Sequence, residues 1–548
     1  PARRPAAPAV RTQPVSAIVG LDGQPLRTAY DAASPWNDHL HSWGSPLRSP
    51  DVEILPDWES MVGRQRELIR NNGIASGAVQ THLDNTIGTG FKLVCDVDWK
   101  ALGVKPSDET EEFEAQVQAR WRNYANDPDC FIDAERMSTF DGLLSKGFRS
   151  FLTSTETLAS LEWMQRRPDR AFTAVKLISP DRLENPDHLT DSYLLRRGVE
   201  LDGVGAPVAY HIRNAHRSEA GMVGAPQFGW KRVPTYKPWG RRNIIHLFDG
   251  EIGQHRGKPS FVSVMSEMKM FQGFKKAALQ NAIINAMYAA VIESSLDSAA
   301  AAEVVGASEL NQSTLGRYMG IKDKYHASAD IRFDGAKVMH TVPGEKFSLL
   351  TPKGTTVGFD QFEASTLRYL AAGLNLSYEQ LSRDYSKTNY SSARASMLEA
   401  YKFILSRRHY IGARFANYVY IAWFEEELER GSLVLPQSAA NAPSFYEATA
   451  AWTRSRWIGA PREHIDEEKR ANALKVMYDL GATTMQEICA EGGKDYEDVL
   501  DQRAREESQK LKARARYNLP PEVPPQGSQQ QQQQPQRQAT LSELQDAA

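Results

Sequence analysis

Cysteine is scarce in this chain: Cys95, Cys130 and Cys489 are the three among 548 residues, and no two stand in a CxxC spacing. That excludes a disulfide scaffold and a four-ligand zinc cage, and it fits a reducing compartment. An excess of either sign of charge is also lacking, since 65 basic residues face 68 acidic ones for a net charge of −3. A chain so balanced is not a tight clamp for a polyanion as a whole. Long apolar runs are missing too. The most apolar stretch, around 277–292, is broken by Gln280, Asn281 and Asn285, and nothing reaches the roughly 18 apolar residues of a membrane helix. The opening PARRPAAPAVRTQPV is basic but Pro-rich, without the apolar region of a secretory signal, and is expected to be a flexible arm.

Catalytic motifs are equally sparse. There is no HExxH, no GxSxG and no Cys/His pair at ligand spacing. The nearest phosphate-loop look-alike, Gly253 to Ser260, has three residues between its glycines instead of four, and Pro259 where a hydroxyl should follow Lys258. It reads as a turn before a Pro-started helix. Gly88 and Gly90 lack the following helix that a dinucleotide fingerprint needs. His39 and His41, or Asp181, Glu184, Asp187 and His188, could be drawn as metal ligands, but carboxylates beside Pro180 and Pro186 are better explained as turn formers. No catalytic residue, cofactor site or metal site is therefore expected.

What is present is a long chain with the periodicities of a mainly α-helical α+β protein. At 548 residues it exceeds a single core and should form several structural units. Helical spacing predicts helices over 58–80, with Asn72-Gly73 as an interruption, then over 110–124 and 139–154. A strand is expected at 91–97. Short β segments follow at 158–164, 173–178, 198–201, 208–213 and 243–248, with 214–239 as a loop insertion. A single helix over 260–293 would span about 50 Å at 1.5 Å per residue, with Lys275 and Lys276 on it. Strands are expected at 337–342 and 346–350, and C-terminal helices at 461–480, 484–491 and 495–516. The aromatic set Tyr410, Phe415, Tyr418, Tyr420, Trp423 and Phe424 recurs on a helical face, which favours core packing over a base-stacking platform. Intermixed Asp501, Glu506 and Glu507 make the basic run Arg503 to Arg516 a solvated helix by default. The Gln/Pro-rich 519–548 is low-complexity and expected to be disordered.

Between Gly373 and Tyr410 a polar segment interrupts two helical patterns. Phe362, Thr366, Tyr369, Leu370 and Leu374 recur before it, and Ala393, Met397, Ala400, Tyr401, Ile404 and Leu405 after it. Residues 382–392 read as a loop held between helices. Ser391 or Ser392 would cap the second helix near Ala393, with Arg407, Arg408 and His409 at its negative end.

The run LNLSYEQLSRDYSKTNYSSAR in that segment resembles the portal proteins of tailed bacteriophages, in particular the lambda-type family. RNNGIASGAVQTHLDNTIGTGFKL (70–93), RRNIIHLFDGEIGQHRGKPSF (241–261) and the helical region 484–507 are similar to the same family, in the same order. The resemblance implies a portal fold with wing, stem, clip and crown. It would divide the chain into an arm (1–50), wing (51–172), β-rich clip and stem entrance (173–248), stem helix (249–296), wing (297–375), tunnel loop and long helix (376–430), crown (431–518) and tail (519–548). It also implies a ring of about twelve copies at one capsid vertex, assembled in the host cytoplasm and carried in the virion. The expected partners are the terminase large subunit, a head-tail connector, the major capsid and scaffold proteins, and double-stranded DNA passing through, with no membrane. A head-tail adaptor and a packaging ATPase are the weaker alternatives. Arg383, Tyr385, Lys387, Asn389 and Tyr390 are then the expected tunnel-loop residues, and Lys275 and Lys276 the stem residues.

Overall fold

In the computed structural model the described residues are 39, 42–219, 221–226, 228–287, 291–294, 324, 345–348, 359–386, 390–461 and 467–517. Two short helices open it, α1 (Pro50–Ile54) and α2 (Trp58–Asn71), followed by α3 (Gly73–Thr86). Trp58, Val62, Gln65 and Leu68 form the buried face of α2. Asn72 ends that helix in an extended conformation and begins the next, its Oδ1 accepting from the amides of Ile74 and Ala75 at 2.9 and 3.2 Å. An Asn cap satisfies donors that the first turn leaves orphaned, which is why the chain bends here without losing helix.

Next come β1 (Lys92–Cys95), α4 (Asp108–Ala125) and α5 (Phe140–Ser154). Phe113, Val117, Trp121 and Tyr124 line the buried face of α4. Three strands follow in one antiparallel sheet, β2 (Glu156–Trp163) at its centre between β3 (Thr173–Ile178) and β8 (Ile244–Phe248). Inserted between β3 and β8 is a four-stranded antiparallel sheet in sequential order, β4 (Leu195–Arg196), β5 (Val199–Leu201), β6 (Pro207–Arg213) and β7 (Trp230–Pro234).

Strand alternation divides the interior in two. Ala159, Leu161, Val175, Ile245 and Leu247 point into the main core with the helices. Leu158, Ile178 and Ile244 point the other way, into a smaller core completed by Val199, Leu201, Tyr210 and Ile212 of the inserted sheet. The period-2 geometry of a strand thus lets one sheet serve both faces.

The helix α6 runs over Met265–Met287 and is followed by β9 (Val291–Ser294), which pairs antiparallel with β10 (Glu345–Ser348). The sequence expectation of one helix over 260–293 is corrected at both ends. Residues 261–264 form a turn before the helix, and the β-branched Val291 and Ile292 belong to a strand, where branching at Cβ is favoured. The strand expected at 346–350 lies at Glu345–Ser348, while 337–342 lies outside the described residues. Likewise, 214–239 is not all loop, because β7 pairs with β6 over Ala209–Arg213.

Beyond them are α7 (Phe359–Gly373), α8 (Tyr378–Ser382) and α9 (Tyr390–Arg407). A π-helical turn at Arg408–Ala413 leads into α10 (Arg414–Glu429). Phe415, Tyr420, Trp423 and Phe424 are core, as their helical spacing suggests, whereas Tyr410 is 57 % exposed. Trp121 is their hub, with edge contacts to Phe140, Tyr420, Trp423 and Trp457 at centroid distances of 5.1 to 5.7 Å. After α11 (Thr449–Trp452), β11 (Ser455–Ile458) returns to pair with β1, so residues near 93 and near 457 close the body together. The chain finishes in α12 (Glu467–Asp479), α13 (Met485–Glu491) and α14 (Tyr496–Arg516), the last two capped by Thr484 and Asp495.

Candidate channel-lining site

The expected tunnel loop is approached along an antiparallel helix pair. Phe274 of α6 stacks on Phe359 of α7 and meets Phe362 edge-on, at 5.6 and 5.0 Å. Lys275 Nζ donates to Glu363 at 2.7 Å. At the other end Gly373 lies so close to Val264 that a Cβ there would come within 2.3 Å of its side chain. The two helices therefore run side by side in opposite directions, and the chain between 288 and 358 connects their open ends. Lys275 is occupied by an ion pair within its own protomer, and Lys276 is exposed.

From α7 the chain turns through Leu374 and Leu376, both buried at this corner. His82 of α3 fixes the corner by donating from Nε2 to the Leu374 carbonyl at 3.0 Å. Burial pushes its imidazole down to about 4, so the ring is neutral near pH 7. Ser377 and Gln380 then form a capping box: the Gln380 amide donates to Ser377 Oγ, and the Ser377 amide to Gln380 Oε1, both at 3.1 Å. One turn later Arg383 enters the left-handed region at φ 56°, ending α8. Asp384 accepts the Ser386 amide at 3.0 Å, an Asx turn that holds the start of the loop.

Arg383 and Tyr385 are exposed on this loop, Tyr385 by 60 %. Lys387 and Asn389 lie outside the described residues. Tyr390 is corrected from loop to the first residue of α9, three residues before the start expected from the apolar pattern, because Ser391 and Ser392 continue the helix instead of capping it.

The far end of α9 departs further from expectation. Arg408 does not serve the negative end of its own helix, which continues through the π turn. Its guanidinium donates to the carbonyls of Thr86, Asn85 and Ala460 at 3.1, 2.9 and 3.0 Å. Those bonds satisfy carbonyls at the end of α3 and the segment leading to α12. Gly412 in the same turn abuts the Phe91 ring, where a Cβ would approach to 2.8 Å.

A second feature escapes sequence reading altogether. Glu156 and Arg256 are both fully buried and paired at 2.8 Å, with His246 Nε2 3.4 Å from the other carboxylate oxygen. Arg256 also donates to the carbonyls of Arg197, Pro180 and Leu183, and its guanidinium lies 4.5 Å over the Trp58 ring. Burial alone would raise the Glu156 pKa, but the buried Arg256 guanidinium, with His246 beside it, prevails and holds it at about 2. This is the phosphate-loop look-alike. Gly257 is small because a Cβ would fall 2.4 Å from the Thr155 carbonyl, and its amide donates to Glu156. The only sequence signal was a glycine without a ligand to approach.

Of the suggested metal ligands, Asp181 takes a bidentate pair from Arg66, Glu184 pairs with Arg213 and Arg217 with His188 Nδ1 3.8 Å away, and His41 lies outside the described residues. No group of three or more His, Cys, Asp or Glu suited to a metal occurs among the described residues. No helix among them is long and apolar enough to cross a membrane.

The profile of the phage portal proteins of the lambda family matches residues 37–408. The portal protein of Escherichia phage N15 is 36 % identical over 506 residues, covering 91 % of this chain and 94 % of that one. Portal protein B of Escherichia phage lambda is 36 % identical over 504 residues, 91 % and 93 % of the two chains. The chain belongs to the lambda family of phage portal proteins. A portal is a structural part of the virion and not an enzyme. Among solved structures, a chain from the neck of an empty gene transfer agent particle is similar at a TM-score of 0.44 and 12 % identity, over 82 % of this chain and 96 % of that one. One from the neck of the native particle has a TM-score of 0.39 and 13 % identity, over 69 % and 83 %.

Proposed function

We propose that copies of this portal protein close head to tail into a ring of about twelve at one capsid vertex, and that double-stranded DNA passes through its centre during packaging and ejection. The observation that carries this reading is identity with portal proteins along nine-tenths of the chain. The charge balance supports a conduit. A duplex carries one phosphate per 1.7 Å, so about 20 phosphates occupy the roughly 35 Å spanned by the 23 residues of α6, and a strongly basic wall would hold them fast.

The α6–α7 pair is proposed as the stem and residues 383–389 as the tunnel loop, with Arg383, Tyr385, Lys387 and Asn389 nearest DNA and Tyr390 behind them. In place of the 173–248 expected from the resemblance, the docking end is proposed to be the β9–β10 strand pair, which lies between α6 and α7 along the chain. The β4–β7 sheet is less suited to that role because the second core and Arg256 bind it into the body. The terminase large subunit and a head-tail connector would meet the docking end, and major capsid and scaffold proteins the outer body. The crown reduces to α12–α14, since residues 455–458 are bound into the body by β1. Assembly would take place in the host cytoplasm. Lys387→Glu tests the loop: rings should form as in the unaltered protein while packaged or retained DNA falls. Full heads with this variant would refute the assignment.

A further inference from the structure

Helix α14 segregates its charge along its length. Between 496 and 507 it carries Glu497, Asp498, Asp501, Glu506 and Glu507 against Arg503 and Arg505; between 508 and 516 it carries Lys510, Lys512, Arg514 and Arg516 with no acid. The acidic half is the anchored half. Arg122 of α4 donates to Asp498 at 3.1 Å, while Arg505 lies 3.9 Å from Asp501 and Gln502 donates to Glu506. Lys510, Lys512 and Arg516 are exposed.

This arrangement costs helix stability. Lys510 with Arg514 and Lys512 with Arg516 are like charges four residues apart, each such pair disfavoured by about 0.2–0.5 kcal/mol. Complementing the helix dipole explains cations in the final turn only. At 100° per residue Lys510 and Lys512 fall on nearly opposite faces, so the basic half is cationic on two opposite sides. A flat protein partner would neutralise one face. A polyanion that can lie along or around the rod neutralises both.

We infer that the C-terminal half of α14 is a contact surface for the phosphate backbone of double-stranded DNA, separate from the tunnel loop. A second copy of the chain is the weaker occupant, because one docked protein surface would meet only one of the two opposite cationic faces. The inference rests on the reading of this portal as a DNA conduit. Repetition around a ring would turn a weak site into a continuous basic collar.

The test uses full-length protein and a fluorescent 30-base-pair duplex, with binding followed by anisotropy across a salt series. Against the unaltered chain stands Lys510→Gln/Lys512→Gln/Arg516→Gln, with assembly state checked by native mass. Binding should weaken at least tenfold at low salt, and the slope of log affinity on log salt should shrink by about 0.9 for each phosphate of the bound duplex that is no longer neutralised, with the assembly state unchanged. Equal affinity and slope in the two proteins, or no duplex binding by the unaltered chain, would overturn the inference. So would a variant that loses its assembly, which would make this surface an interface between copies. Failure of the unaltered chain to form rings counts against the conduit reading and is seen separately.

Discussion

Removing the Arg256 guanidinium while keeping its apolar stem, as in Arg256→Met, isolates the buried pair that ties the inserted sheet to the helical body. The side chain is wholly buried and ends four interactions at once: the Glu156 pair at 2.8 Å and the bonds to Arg197, Pro180 and Leu183 carbonyls at 2.6, 2.9 and 3.3 Å. Glu156 would keep the Gly257 amide at 2.6 Å and His246 as its remaining partners. Breaking one side of a buried pair costs about 3–5 kcal/mol, because the other charge stays desolvated. The urea dependence grows with the surface a chain exposes, so the loss is read as the midpoint shift multiplied by the slope of the same titration, and should reach about 3 kcal/mol. Urea unfolding followed by tryptophan fluorescence reads it, Trp58 lying directly beneath the guanidinium.

Two controls sharpen the result. Arg256→Met with Glu156→Gln should recover part of the loss, since replacing both partners leaves no unpaired charge. The pH dependence has a fixed sign: the Glu156 pKa is depressed from 4.5 to about 2 in the folded state. Its contribution is therefore full above about pH 4.5 and is lost as pH falls toward 2. The gap between the unaltered chain and Arg256→Met should narrow over that window. A loss below about 1 kcal/mol near pH 7, read from the midpoint shift and the slope of the same titration, would refute the reasoning.

Glu114 gives the opposite pH signature. Burial raises its carboxyl to about 7, although it accepts from Trp99 Nε1 and the Val97 amide. A raised carboxylate contributes stability below its unfolded value that is lost as pH climbs through 7, so Glu114→Gln should flatten the stability profile between pH 5 and 8, as thermal melts at each pH would read. In the π turn, Gly412→Val forces a side chain against the Phe91 ring and should destabilise by about 1–3 kcal/mol, measured by the same urea titration; an unchanged midpoint would mean that the turn yields freely.

Much of the helical framework was legible because its signals are local. Asn72 before Gly73, Thr484 before Glu487 and Asp495 before Glu497 mark boundaries that the structure keeps. The core role of Phe415, Tyr420, Trp423 and Phe424 followed from spacing alone. What stayed hidden depends on partners remote in sequence. β11 is four residues long and makes sense only beside β1, more than 350 residues earlier. Glu425, Glu426 and Glu427 look like a solvated acidic run, yet Glu426 accepts the amides of Phe172 and Thr173 at 2.6 and 2.7 Å, and Glu425 accepts Trp239 Nε1 at 3.1 Å. Arg256 finds Glu156 a hundred residues away. The approach to the proposed tunnel loop is readable from its interrupted periodicity, whereas the Arg408 clasp needs the end of α3 to be in place.

The central claim is that identical, chemically inert copies make a passage by closing around an axis. Native mass measurement of the purified full-length chain, alone and with capsid and scaffold proteins, tests it most directly. A closed ring of about twelve copies is the predicted result; a polypeptide that stays monomeric at high concentration in both mixtures would contradict it.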